Sequence, residues 1–156
     1  MALIFRSEVR ALLGRIRKGK VGSAEIEFAE EVRELTVEAA RALPAPPAPS
    51  SATISLSATN PRAAILEAWL HLEAVARKAA FGVNEFAGRT AISTGHTLAK
   101  SGLLNPEEVA IFDQLRSLRN QATHDPEFSP KPESVLEYTQ LAGALSQRLA
   151  TRSSGR

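Results

Sequence analysis

Twice in this chain an asparagine precedes a proline, and each pair opens a stretch whose apolar residues return every third or fourth position. Asn60-Pro61 leads into Ile65, Leu66, Trp69, Leu72, Ala76, Ala79 and Ala80. Asn105-Pro106 leads into Val109, Phe112, Leu115, Leu118 and Ala122. An asparagine side chain accepts from the free N–H groups of a first helical turn, and proline fits the first helical position because that N–H has no partner within the helix. The spacing predicts amphipathic helices over about 61–80 and 106–123. His124-Asp125-Pro126 stops the second, since the residue before a proline is pushed out of the helical region.

The same period recurs elsewhere. Phe5, Val9, Leu12, Leu13 and Ile16 predict a helix over 5–18. Ser23 is placed to cap a second helix ending near Leu43, with Phe28, Val32, Leu35 and Ala39 as its stripe. The alternation Ala24-Glu25-Ile26-Glu27-Phe28 leaves a short strand as the competing reading there. Leu98 and its neighbours predict a short helix at about 93–101 ending at Gly102, with Gly82, Gly88 and Gly95 as breakers around it. Val135, Tyr138, Leu141, Ala142, Leu145 and Leu149 mark a last helix. The expected fold is therefore all-α, an antiparallel four- to five-helix bundle with an N-terminal arm.

Pro44-Ala45-Pro46-Pro47-Ala48-Pro49-Ser50-Ser51 reads as a stiff, solvated linker. It divides the chain into an arm (1–43), a linker (44–59), a helical body (60–150) and a polar, frayed tail (151–156). Within the arm, a basic block (Arg6, Arg10, Arg15, Arg17, Lys18, Lys20) adjoins an acidic one (Glu25, Glu27, Glu30, Glu31, Glu34, Glu38). The basic part has two readings, an ordinary solvated helix face or a surface that touches anionic membrane or nucleic acid. The first is favoured. Net charge over the 156 residues is only +2 and does not itself demand a polyanionic partner.

Several chemistries find no residues to carry them. The chain has no cysteine, which removes disulfides and thiolate metal sites. Its three histidines (His71, His96, His124) lie far apart, so neither a metal nor a cofactor is expected. The glycines form no phosphate-loop or dinucleotide pattern. No apolar run reaches the ~20 residues that span a bilayer, and no secretory signal pattern opens the chain, so the expected location is the cytoplasm.

One segment is chemically loaded. Arg119-Asn120-Gln121-Ala122-Thr123-His124 sits at the end of a predicted helix. Arginine is a permanent cation with a planar donor fork that matches phosphate. Histidine exchanges protons near neutrality, and Asn120 adds a neutral donor and acceptor. A cation to stabilise charge on phosphate and an imidazole to move the proton are the minimum for metal-free phosphodiester cleavage. Five residues rotate about 140° on a helix. Arg119 and His124 therefore converge only at a helix end or across two subunits. In the alternative reading His124 favours the negative end of the helix dipole and Arg119 pairs with a nearby glutamate.

The run Leu115-Arg116-Ser117-Leu118-Arg119-Asn120-Gln121-Ala122-Thr123-His124, late in an all-helical domain, resembles the signature of the HEPN superfamily. The helix opening Asn60-Pro61-Arg62-Ala63-Ala64-Ile65 and running to Leu72-Glu73 is similar to one uncharacterised branch of it. The resemblance covers about 60–150. It implies a helical bundle that dimerises across its motif helices and, in active members, a metal-independent endoribonuclease. Carried onto this chain, Arg119 would bind the scissile phosphate, Asn120 would be its polar neighbour, His124 would act as acid and base, and Glu73 would be an accessory acidic residue. RNA and a second copy of the chain are the implied partners. A non-catalytic dimerisation or interaction module is the rival expectation. Trp69 is read as core, His71 as solvated and His96 as a loop or cap residue.

Overall fold

The computed structural model describes residues 24–87 and 89–155. The predicted helix at 5–18 and the basic block lie outside them. The described residues hold six helices and no strand: α1 (Ala24–Ala42), α2 (Ser51–Thr59), α3 (Pro61–Val83), α4 (Ala91–Lys100), α5 (Pro106–His124) and α6 (Pro132–Ser154). The competing strand at 24–28 is thus helix. Both Asn-Pro signals act as read. The Asn60 side chain accepts from the N–H of Ala63, and that of Asn105 accepts from Glu108.

Helix directions follow from which ends meet. At one end of the molecule Val75, Ala79 and Gly82 of α3 lie across a groove from Ala150 and Ser153 of α6. Nearer the other end, Ala64, Ala68 and His71 share a groove with Thr139 and Gly143. The helices α3 and α6 therefore run parallel. Helix α5 runs against both. The Tyr138 hydroxyl of α6 donates to the Leu115 carbonyl at 2.9 Å, while the Arg62 guanidinium, at the start of α3, reaches the carbonyls just past the end of α5. The late alanines of α3 (Ala76, Ala79, Ala80) are buried, as expected where a neighbour packs close.

The arm and linker depart from the expected division. Phe28, Val32 and Leu35 of α1 are buried, and Phe28 meets Phe128 edge-on at 5.0 Å and Tyr138 at 6.3 Å. Burying such side chains contributes roughly 1.5–3 kcal/mol each, so three of them supply a sum comparable to a whole domain's margin of about 5–15 kcal/mol. Helix α1 is part of the core. Residues 51–59, read as linker, form α2. The Ser50 side chain caps it by accepting from Thr53, and its one buried residue, Ser57, donates to the Thr53 carbonyl at 2.8 Å. Small side chains let this helix settle on α3 and α6 without a hydrophobic stripe. The polar tail is also helical to Ser154, because Arg152 is held by buried Glu108. Gly95 lies inside α4 rather than breaking it, and its backbone faces the Phe112 ring, which a Cβ there would meet in ordinary contact at 3.4 Å.

Candidate functional site

Helix α5 begins with a reciprocal cap. The Asn105 side chain accepts from the N–H of Glu108, and the Glu108 carboxylate accepts from the N–H of Asn105, both at 2.9 Å. It ends at His124, where Asp125 turns extended and its N–H closes on the Gln121 carbonyl at 3.1 Å. The Asp125 carboxylate then accepts from the N–H of Glu127. Arg62 fixes this turn from outside. Its Nη2 lies 2.7 Å from the Asp125 carbonyl, 3.3 Å from that of Pro126 and 3.4 Å from that of Phe128. Sequence reading passed over Arg62, because its partners lie more than sixty positions away.

Arg119 is half-buried, with its guanidinium 5.3 Å over the ring of Trp69. Trp69 is core, as expected, and packs on Phe112 at 5.3 Å as well. The Tyr138 phenol is pushed well up by burial, and the positive charge of Arg119 pulls it partly back. No carboxylate forms an ion pair with Arg119 among the described residues.

Arg116, Asn120 and His124 follow one another at four-residue steps and so share one stripe of α5. His124 is exposed; Asn120 and Arg116 are half-buried. Arg116 pairs with Asp113, at 3.6 Å, and with no other carboxylate among the described residues. Burial pushes the Asp113 carboxyl up from its usual range, and Arg116 partly offsets this. Arg119 faces the α3 side, one residue and about 100° from Asn120. The four side chains thus lie along the last two turns of one helix, but Arg119 and His124 of a single chain diverge.

Glu73 stands elsewhere. It pairs with Arg77 at 2.9 Å, one turn further along its own helix. Because α3 and α5 are antiparallel and Arg62 marks the level of Asp125, Glu73 lies about 16 Å along the axis from the end of α5, from 1.5 Å per residue. The structure does not bring it to His124. His71 is exposed at the rim of the α2–α3–α6 groove, and His96 is an exposed residue within α4. Among the described residues no three histidine, aspartate or glutamate side chains group as a metal site. No described helix is long and apolar enough to cross a membrane. The two grooves named above are lined by no residue of α5.

A second charged cluster was not legible in the sequence. Glu108 is fully buried and meets Arg152 at 2.6 Å and Arg148 at 3.3 Å. Arg148 also donates to the Ala42 carbonyl and Arg152 to that of Leu103, so one carboxylate ties α1, α5, α6 and the α4–α5 loop together. Both arginines pair with this one carboxylate and also reach backbone carbonyls, although Glu108 Oε1 and Arg148 Nε, 3.3 Å apart, make no hydrogen bond; the cluster acts as a structural clamp.

In comparisons with known proteins, no family model, no curated protein and no solved structure matches this chain.

Proposed function

We propose that this chain is a HEPN-like RNA-binding domain whose helices form a bundle of that kind, that works as a homodimer and cleaves single-stranded RNA without a metal. The observation that carries the reading is the state of Arg119: a guanidinium seated on Trp69, with no carboxylate paired to it among the described residues, about one and a half turns from the exposed end of α5 where His124 stands. A cation held on a ring with no carboxylate paired to it among the described residues suits a phosphodiester better than it suits a helix cap. In the reaction His124 takes the proton of a ribose 2′-hydroxyl. The 2′ oxygen attacks the neighbouring phosphorus, the bond to the 5′ oxygen breaks, and that oxygen leaves with the proton that the His124 imidazolium gives up. Arg119 stabilises the charge that develops on the phosphate oxygens, and Asn120 holds a substrate oxygen. The products are a 2′,3′-cyclic phosphate and a 5′-hydroxyl. Because Arg119 and His124 diverge on one helix, the working pair comes from two copies meeting along α5.

The test is cleavage of single-stranded RNA in the presence of a chelator. His124→Ala should lower the rate about 10²–10⁴-fold with the fold intact. Arg119→Ala should lose rate and binding together, and Arg119→Lys should restore only part, because a point charge lacks the fork. An unchanged rate in His124→Ala would remove the enzyme reading.

The rival reading, a dimerisation or interaction module without catalysis, has its own support in Leu70, Phe86 and Ile92. These are 63%, 72% and 67% exposed on α3, the α3–α4 loop and α4. A stable dimer that neither binds nor cleaves RNA would favour it.

A further inference from the structure

Three buried nitrogen donors on neighbouring side chains lack an acceptor among the described residues: the indole Nε1 of Trp69, Nε of Arg119 and Nε of Arg116. Buried N–H groups are almost always satisfied, so three unsatisfied donors with no acceptor among them call for an explanation. Arg119 and Arg116 are also like charges one turn apart on α5, an arrangement that opposes helix stability unless an anion lies between or across them. The one carboxylate near Arg116, that of Asp113, is half exposed and 3.6 Å away, and an exposed pair at that distance is weak. The indole of Trp69, 1% exposed, is out of a strand's reach, but two neighbouring cations without a strong counter-charge among the described residues ask for an oxyanion.

We propose that Arg116 is a second phosphate-binding residue, holding the phosphate next to the one that Arg119 engages, so that the α5 face grips at least two successive phosphates of a single RNA strand. This rests on the reading of Arg119 as a phosphate binder and adds a contact to it. Arg116 lies about 6 Å before Asn120 and about 12 Å before His124 on the same stripe. Arg116 and Arg119 lie three residues apart, about 4.5 Å along the axis and about 60° around it, so one strand crossing this part of α5 can meet both guanidinium groups. Asp113 competes for Arg116 and gives way when the strand arrives.

The experiment measures binding of a 2′-O-methylated oligouridylate of about twelve nucleotides, which cannot be cleaved, across a range of salt. Each phosphate contact on a single strand contributes about 0.7 to the slope of log affinity against log salt. Arg116→Gln should weaken binding on the order of tenfold and lower the slope by about 0.7. Asp113→Asn, which frees Arg116, should tighten binding. Lys100→Gln, removing an exposed cation at the end of α4, supplies the control for net charge. If Arg119→Gln weakens binding while Arg116→Gln behaves like Lys100→Gln, the second contact is refuted and the Arg119 reading stands. If the wild-type chain does not bind the oligomer, or Arg119→Gln binds like wild type, the phosphate reading fails and the second contact falls with it. Should Arg116→Gln unfold, the Asp113→Asn arm decides: affinity unchanged or weakened overturns the proposal.

Discussion

The guanidinium of Arg119 rests 5.3 Å above the indole of Trp69, and that indole is 1% exposed. A cation over an indole face is held by about 0.5–1 kcal/mol, more when desolvated. The contact therefore fixes the position of a charge and also reports on it, because Trp69 is the chain's one tryptophan. Arg119→Met should change the tryptophan emission with the fold retained. An RNA oligomer should shift the emission of the wild type and leave that of the variant unmoved. Identical responses in the two proteins would mean that Arg119 does not meet the strand.

Glu108 should be the most sensitive charged position for stability. Removing one partner of a buried ion pair costs about 3–5 kcal/mol. Here the two arginines are each about one-third exposed, 32%, so Glu108→Ala should sit near the lower end, about 3 kcal/mol. Urea unfolding followed by circular dichroism measures it. A loss under about 1 kcal/mol would show that solvent carries the arginines without the carboxylate.

Glu31 should behave in the opposite sense. Its carboxyl is pushed up from the usual value mainly by burial. The Gln121 side chain, whose amide lies 3.4 Å away, draws it down, and Glu27 and Glu34 push it further up. A carboxyl raised in the folded state favours folding when protonated. The stability it contributes is full below its unfolded value of 4.5 and is lost as pH rises through its folded value. Glu31→Gln should therefore melt higher than wild type at neutral pH, by on the order of 1 °C after solvent screening. The difference should vanish in acid. An equal or lower melting temperature at pH 7 would contradict the sign.

Much of this fold could be read from local signals, and what could not has physical causes. The caps at Asn60 and Asn105 and the stripes through Trp69 and Leu115 depend on neighbours three or four positions away, which a sequence displays. Helix α2 has no such stripe. Its Ser, Ala and Thr residues settle by size, against surfaces built far along the chain. Glu108 carries no local signal of its role as a clamp, because that role depends on Arg148 and Arg152, some forty positions downstream. At the candidate site, Arg119 and His124 stood out by chemistry. The seat that Trp69 gives Arg119 and the grip of Arg62 on the turn after His124 needed the antiparallel meeting of α3 and α5.

Truncation offers a direct check on the part played by α1. A chain beginning at residue 60 would lose α1 and α2 and uncover Phe128 and Tyr138, against which Phe28 packs. It should not fold cooperatively. A chain beginning at residue 24 should hold the core. Limited proteolysis within Pro44–Pro49 should accordingly destabilise the remainder. A sharp two-state melt of residues 60–156 would show that the body needs no arm.

The two ends of α5 carry different burdens. Near Pro106 the helix is locked by a carboxylate whose partners are all internal, and near His124 it presents side chains that the core does not use. Substitutions at the exposed His124 can therefore accumulate without taking the chain below its folding threshold. A lineage of such proteins can lose, retune or exchange its surface chemistry while its architecture stays soundly assembled. Folding competence in a relative with a different residue at 124 would then say nothing about whether that relative still acts on anything, and activity has to be assayed protein by protein.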